Sequence, residues 1–333
     1  MSTTSPPARP TLAARIQARG FRLTTSLSLL IVFIAMCVVF SILSPYFLTV
    51  ENFVNIARTM PIVGIVAIGE TLVLIAGGVD LSVGSVAALS GVVTGLLWEK
   101  AGLPIGIAAT VGLLSGALVG LVNGLLVTRL RINALITTLA TFSIVRGLAF
   151  VLTNAQMNQL TDPRFLWLGR GEIARVPVPF ILMILLYVIF YLVLRYTPFG
   201  RDLYAIGGNP AASRLAGIPA NKYLLIVFAF GGLLAAVGGL VQSSQLAAGT
   251  PQLATGLEFT VIAAVVLGGT SLTGGKGALT GTLIGVLILR TLDNGLILVD
   301  LSSYWQQVAR GAVLILAVGF DVLRTRLAAD RAR

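Results

Sequence analysis

The chain alternates between long apolar runs and short polar or glycine-rich interruptions. Ten apolar runs lie at residues 23–44, 60–76, 80–97, 104–127, 134–153, 177–195, 223–243, 257–270, 278–298 and 304–321. A helix rises about 1.5 Å per residue, so roughly 20 apolar residues cross a bilayer. The pattern predicts an all-α polytopic membrane protein with about ten transmembrane helices. The second and eighth runs are short and end at glycines, so a count of nine or eleven stays open.

Composition agrees with a membrane-embedded chain. Of the 333 residues, 56% are hydrophobic and 11% are charged, and the mean hydropathy is +0.97. A soluble protein carries about 25% charged residues, so this chain could not cover itself with a hydrated surface. We expect a cytoplasmic tail at residues 1–22 and a transmembrane domain at 23–321 that contains a cytoplasmic loop at 196–222. A second cytoplasmic tail is expected at 322–333.

The net charge of +11 is explained by orientation in the membrane rather than by nucleic-acid binding. With ten spans and a cytoplasmic start, the predicted inside segments hold 15 of the 23 Lys and Arg residues, and the outside segments hold five. Cytoplasmic loops carry the excess of basic residues in membrane proteins. Both termini are therefore predicted to be cytoplasmic.

The first apolar run is too long for the core of a cleaved signal peptide, which covers about 7–15 residues. We expect it to be retained as a span. Cys37 is the only cysteine, and the chain has no histidine. This excludes a disulfide framework, histidine-based catalysis and histidine metal sites. No metal site, cofactor or catalytic residue is expected in the chain.

A glycine-rich interruption at residues 77–85 separates the second and third apolar runs. The pair Gly77 and Gly78 favours a helix break, and Asp80 stands where the next helix needs an N-cap. Irregular backbone at membrane depth is tolerated where it lines a cavity or is buried in protein. Two compatible interpretations follow, a capped helix start and a broken helix along a translocation pathway, and the second would include Ser82.

A second glycine-rich stretch, residues 268–277, resembles the first. Both contain Gly-Gly-x-x-Leu-[Ser/Thr]-x-Gly. Matching glycine interruptions in the two halves of a transporter point to its pathway, which makes Gly268, Gly269 and Thr270 candidate pathway residues. Chance similarity within a glycine-rich membrane protein remains the alternative.

The predicted inside loop contains the signals of a short helix at residues 210–216. Asn209 suits the N-cap, Pro210 the first helical position and Gly217 the left-handed position after the helix, while Pro219 prevents continuation. A two-turn helix is marginal in water and needs a packing partner. It either folds back on its own protein or docks in a groove of a cytoplasmic partner. The residues assigned to docking are Asn209, Pro210, Ala211, Ala212, Arg214, Leu215 and Gly217.

The ionisable residues that fall within apolar runs include Glu70, Arg146, Glu258, Arg290, Asp293 and Arg310. Such residues are costly at the bilayer centre and usually face the bundle interior or water. Arg290 and Asp293 are three residues apart, so we expect them to pair along one helix face. Glu70 and Glu258 lie near the outer parts of their spans, where snorkelling or a wet vestibule would accommodate them.

These segments give the chain a clear resemblance to ribose-type (monosaccharide) ATP-binding-cassette importer permeases, within the family that includes branched-chain amino acid permeases. The similar segments are residues 71–75, 77–85, 204–218, 256–259, 261–272, 294–296 and 307–311. Coverage runs from about residue 45 to the C-terminus, and residues 77–85 have the sugar-branch form of the motif. Glu70 departs from the family pattern, in which this position is usually uncharged, so it receives no inherited role.

The resemblance implies a ten-helix permease that forms a homodimer or heterodimer in a bacterial inner membrane. Its implied partners are a cytoplasmic ATP-binding subunit and a periplasmic or lipid-anchored sugar-binding protein. Residues 209–217 match the family's coupling segment, in agreement with the docking-helix prediction. The chain has no Gly-x-x-x-x-Gly-Lys-[Ser/Thr] phosphate loop, so we expect no enzyme activity here and assign ATP and magnesium to the partner ATPase.

Other functions remain to be separated from sugar import. Within the importer class, the cargo alternatives are a nucleoside, a furanosyl signal molecule and a branched-chain amino acid. From another class, an ion-coupled secondary transporter would use Glu70, Asp80, Glu258 and Asp293 as a carboxylate relay. A membrane enzyme is disfavoured because no nucleophile, base or metal constellation is apparent.

Overall fold

The computed structural model describes residues 29–330. The predicted tail at residues 1–22, the start of the first predicted span and residues 331–333 lie outside the described residues. A helix of the structure overlaps each of the ten apolar runs. Within the described residues the helices are α1 (Leu29–Leu43), α2 (Val50–Ile75), α3 (Val83–Gly95), α4 (Ile105–Thr128), α5 (Ala134–Thr153), α6 (Pro163–Arg170), α7 (Val178–Tyr196), α8 (Pro198–Gly208), α9 (Pro210–Leu215), α10 (Ala220–Leu246), α11 (Leu257–Leu267), α12 (Leu279–Leu298) and α13 (Ser303–Asp330).

The remaining regular structure is short. A π-helical turn, Leu96–Lys100, continues α3. Two antiparallel pairs of two-residue strands join β1 (Asn158–Gln159) to β4 (Ala248–Gly249) and β2 (Glu172–Ile173) to β3 (Val176–Pro177). The protein is therefore helical in class, as predicted.

Six helices of the described region are long and apolar enough to cross a membrane: α2, α4, α5, α7, α10 and α12. The helix α2 begins at Val50, well before the predicted start at residue 60. Thr49 caps it, since the Thr49 Oγ1 accepts a hydrogen bond from the Asn52 amide at 3.3 Å. Because the first turns of α2 are polar, the apolar runs alone do not predict this start.

The helix α2 is the centre of the bundle, because it packs against α7, α10, α11 and α12. Its residues from Met60 to Ile75 are all buried, and an all-round apolar helix is stable only when neighbours cover every face. By contrast, most residues of the apolar stretches of α4, α5 and α7 are not buried inside the described bundle. Their uncovered side chains are suited to contact lipid or another membrane subunit.

Small residues let α4 and α10 approach closely. Glycine recurs at every fourth position of α4, at residues 112, 116, 120 and 124. A Cβ added at Gly120 would lie only 2.2 Å from the Phe228 carbonyl oxygen of α10. Stripes of small residues are the usual interface between membrane helices, because lipid provides no hydrophobic force to join them.

The predicted inside loop at residues 196–222 is mostly helical. In addition to α9, it contains α8, which the sequence analysis missed. Pro198 occupies the first turn of α8, the position where proline is favoured. That signal was present in the sequence and could have revealed the helix.

Candidate functional site

A helix break separates α2 from α3, as predicted. The Gly77 amide donates to the Leu74 carbonyl and the Gly78 amide to the Val73 carbonyl, each at 2.9 Å. Gly77 has φ +86°, so this is a helix end with a left-handed residue that favours glycine. The chain then stays non-helical until α3 starts at Val83.

Asp80 organises this break, although not as the predicted N-cap. The N-cap of α3 is Ser82, two residues later, because the chain from Gly78 to Ser82 is not yet helical. Asp80 Oδ1 accepts from the Ser82 amide at 2.8 Å and from the Ser82 hydroxyl at 2.6 Å. The Ser82 Oγ in turn accepts from Asn123 of α4 at 3.0 Å. A buried polar chain thus links the break to α4.

Glu70 lies beside this chain and is fully buried. The Asp80 amide donates to Glu70 Oε1 at 3.2 Å. The expectation that Glu70 snorkels or faces a wet vestibule is therefore wrong for the described residues. The physical reason is the break itself, which turns the chain back so that Asp80 covers the last turns of α2.

The second glycine stretch has the same helix-ending geometry. After α11 ends, the Gly269 amide donates to the Val266 carbonyl at 2.8 Å and the Thr270 amide to the Val265 carbonyl at 3.2 Å. Gly269 has φ +89°. The structural counterpart of Gly77 is therefore Gly269 and not Gly268, so the two octapeptides match in structure with a shift of one residue.

The two glycine stretches contact each other. The Gly275 amide donates to the Ile75 carbonyl at the end of α2, at 2.9 Å. A Cβ added at Gly274 would lie 2.9 Å from the Gly77 Cα. Thr71 and Thr282 share a hydrogen bond of 2.8 Å just behind this contact. The octapeptide shared by the two stretches suggests that they are related, and in the structure they lie together.

The C-terminal end of α8 closes over both breaks. A Cβ added at Gly207 would lie 1.8 Å from the Ile75 oxygen and 2.6 Å from the Gly275 nitrogen. The Tyr204 hydroxyl donates to the Gly277 carbonyl at 2.9 Å. Because α9 follows α8 after a single residue, a force on α9 would be transmitted directly to the two breaks.

The helix α9 has the predicted caps and ends one residue earlier than predicted, at Leu215. Asn209 Oδ1 accepts from the Ala212 amide at 2.9 Å, and Gly217 has φ +78°. Ser213 is buried, whereas Leu215 is 92% exposed. Ala211, Ala212 and Arg214 are exposed as well. The apolar side chain of α9 is therefore uncovered by the described residues, which favours docking over folding back.

An ion-pair network joins α12 to α13. The predicted pair is confirmed, with the Arg290 Nη1 at 3.2 Å from Asp293 Oδ2. Arg310 of α13 also contacts this carboxylate, with its Nε at 2.9 Å from Asp293 Oδ1. Arg310 was not predicted as a partner, because a helix end and a loop separate it from Asp293 along the chain.

A helical bundle with apolar spans, two touching breaks and an exposed capped helix has the architecture of a multi-pass membrane transport protein. The chain belongs to the family described as branched-chain amino acid transport system / permease component, which matches residues 52–318.

Several characterised relatives are similar over nearly their whole length. The chain is 41% identical over 298 residues to the ribose import permease protein RbsC of Escherichia coli strain K12, covering 88% of this chain and 92% of the relative. It is 43% identical over 287 residues to RbsC of Bacillus subtilis strain 168, with coverage of 85% and 88%. It is 39% identical over 314 residues to the L-arabinose ABC transporter permease protein AraH of Azospirillum brasilense, with coverage of 93% and 92%. No solved structure matches the chain.

Proposed function

We propose that this chain is the transmembrane permease subunit of an ATP-binding-cassette importer that translocates a monosaccharide. The names of the relatives support a pentose such as ribose or L-arabinose as the cargo. The proposal depends mainly on the exposed helix α9. This helix is joined to α8, and the end of α8 contacts the two glycine breaks.

The proposed assembly contains a second permease copy or a related permease, a cytoplasmic ATP-binding subunit and an extracytoplasmic sugar-binding protein. The four helices α1, α3, α11 and α13 complete ten spans with the six long apolar helices. ATP and magnesium bind the ATPase, and the sugar arrives from the binding protein at the outer face of a bacterial inner membrane.

The mechanism follows from the contacts of α8 and α9. When ATP closes the ATPase halves, α9 moves with the groove that holds it. The movement passes through Gly207 to the Ile75 carbonyl and to Gly275. The Ile75 carbonyl lies at the end of α2, and Gly275 lies in the segment that leads to α12. When these atoms move, the pathway beside the breaks changes between outward and inward access. The pathway residues in this proposal are Gly77, Gly78, Asp80, Ser82, Gly268, Gly269 and Thr270.

Reconstitution tests the function. In proteoliposomes that contain the permease, its ATPase and its binding protein, we expect uptake of labelled ribose or L-arabinose only when ATP is present on the ATPase side. Uptake by the purified chain alone, driven by a proton or sodium gradient, would instead support the secondary transporter.

The orientation of the chain is predicted from its basic residues and is testable by cysteine labelling. In a Cys37→Ser background, a cysteine at Ala211 should react with a membrane-impermeant reagent only after the cells are opened. A cysteine at Ala174, in the exposed turn between β2 and β3, should react in sealed cells. Ser213 is a poor labelling position because it is buried. The reverse labelling pattern would refute the cytoplasmic placement of α9.

Asp80 substitutions separate a hydrogen-bond acceptor from a charge. Asp80→Ala removes both hydrogen bonds accepted from Ser82, and hydrogen bonds to a charged group contribute about 1.5–3 kcal/mol each. We expect it to reduce the uptake rate and the thermal stability of the purified permease. Asp80→Asn keeps an acceptor oxygen and should have a smaller effect on both. Equal losses in the two variants would show that the negative charge matters rather than the acceptor.

A further inference from the structure

Arg146 of α5 is held by backbone oxygens in the segment before α11. Its Nη1 donates to the Pro251 carbonyl at 2.6 Å and to the Leu253 carbonyl at 2.8 Å. Its guanidinium carbon lies 5.9 Å from the centre of the Phe142 ring. The Nη2 atom is buried and has no hydrogen-bond partner. Hydrogen bonds therefore hold the Nη1 side of the guanidinium, whereas the Nη2 donors have no acceptor among the described residues.

Glu258 lies in the first turn of α11 and is only 3% exposed. Its Oε2 is buried and unpartnered. The carboxylate fits against the start of α3 because residue 84 is glycine, since a Cβ there would lie 2.2 Å from Oε2. The glycine motif that follows α2 thus makes room for a carboxylate contributed by another helix.

Arg146 binds the segment just before α11, and Glu258 lies in the first turn of α11, yet the two side chains form no ion pair within 4 Å among the described residues. Leaving a buried donor and a buried acceptor unpaired is costly, and the cost is greater for charged groups. Native proteins keep such atoms mainly where a ligand or water completes them. A ligand with groups that accept from Arg146 Nη2 and donate to Glu258 Oε2 would satisfy these atoms.

The surroundings match a sugar rather than an ion. A hydroxyl group both accepts and donates hydrogen bonds, so neighbouring hydroxyls of one sugar ring would serve a guanidinium and a carboxylate together. Half-exposed Phe142 and exposed Phe259 offer apolar ring faces nearby, and Thr255 and Gln252 add exposed polar groups on the same segment. An inorganic cation would be repelled by Arg146, and an anion by Glu258.

We propose that Arg146 and Glu258 form a contact site for the sugar in transit, at the junction of α5 with the start of α11, and that the bundle opens there to admit the sugar, because both free atoms are buried in the present conformation. The inference rests on the proposed function and adds the residues that meet the cargo. The site differs from the Asp80 and Glu70 cluster, and Gly84 links it to the glycine motif. Its charged groups act by hydrogen bonding to hydroxyls, and Gly84 positions the carboxylate.

The test compares sugars in proteoliposomes that contain the complete transporter. The probes are D-ribose, L-arabinose and monodeoxy derivatives that each lack one hydroxyl. We expect Glu258→Gln and Arg146→Gln to reduce import of the parent sugar by about ten-fold, the effect of losing one hydrogen bond to a charged group. For at least one deoxy derivative, the same substitutions should reduce import much less. That derivative already lacks the hydroxyl that the replaced side chain would bind. Glu51→Gln, which removes an exposed carboxylate on α2, is the matched control and should leave import unchanged.

A merely structural role for the pair would reduce import of every sugar by the same factor, and that result would overturn the inference. Absence of import by the wild-type complex would overturn the proposed function, and the inference with it. If the wild-type complex imports sugar, but the variants leave the ratio of parent-sugar import to deoxy-sugar import unchanged, the inference alone would be overturned.

A second measurement does not depend on variants of the pair. In a Cys37→Ser background, the Thr255→Cys variant places a thiol on the exposed segment before Glu258. During turnover with D-ribose or L-arabinose, we expect its reaction with a thiol reagent to slow at least two-fold. A cysteine at Glu51 should react at the same rate with and without sugar. Equal rates at both positions would contradict a sugar contact at this surface.

Discussion

Replacing Leu215 by aspartate is expected to abolish ATP-driven sugar uptake and to weaken co-purification of the ATPase. Leu215 is the large apolar side chain of α9, and it is 92% exposed. A short helix gains most of its stability from a packed partner, and a carboxylate in an apolar groove would lose its hydration without compensation. Uptake in proteoliposomes and the amount of ATPase retained on an affinity-tagged permease measure the two effects.

The matched control is Arg214→Ala, the neighbouring exposed position. An exposed ion pair contributes only about 0–1 kcal/mol, so this variant should keep most of its uptake. The Leu215→Asp chain should still insert into the membrane, because the change lies outside the apolar spans. Normal ATPase retention together with normal uptake in Leu215→Asp would refute α9 as the docking helix.

Replacing Asp293 by asparagine is expected to cause a large loss of stability. The carboxylate is contacted by Arg290 and Arg310 within the bundle, and asparagine keeps the shape while it removes the charge. Breaking a buried ion pair costs about 3–5 kcal/mol, because an uncompensated charge stays behind. The free energy of unfolding can be measured by titrating the detergent-solubilised chain with a denaturing detergent while following circular dichroism.

The control for Asp293 is Glu172→Gln, which breaks the pair between Glu172 and Arg58. Both of those side chains are substantially exposed, so the expected loss is about 0–1 kcal/mol. If the two variants lose the same stability, the network between α12 and α13 does not act as a buried ion pair. When Arg290→Met and Arg310→Met are added to the Asp293→Asn variant, the triple variant should recover part of the stability that Asp293→Asn loses.

Local signals were sufficient for the shortest elements of the candidate site. The caps of α9 could be predicted because Asn209, Pro210 and Gly217 act within a few residues along the chain. The break at Gly77 and the pairing of Arg290 with Asp293 were predictable for the same reason. Each depends on backbone geometry or helix periodicity over less than two turns.

Contacts between distant segments could not be predicted. Glu70 and Asp80 are only ten residues apart, yet their contact depends on how the chain turns after Gly78. The structural equivalence of Gly77 with Gly269 required the hydrogen bonds at each helix end, because the shared octapeptide aligned Gly268 instead. Arg146 and Glu258 come from different helices, and no periodic pattern relates them.

Hydropathy and local backbone preference were enough to predict the membrane-embedded class, the approximate positions of the apolar helices, the short capped helix and the two glycine interruptions. These preferences act locally and are the same wherever the segment lies in the fold. The contact between the two interruptions, the packing of α8 against them and the contact of Glu258 with the first turn of α3 became visible only in the folded bundle. The reason is that apolar helices in a bilayer are placed by close packing at small residues and by a few buried polar contacts, and those depend on which helices become neighbours.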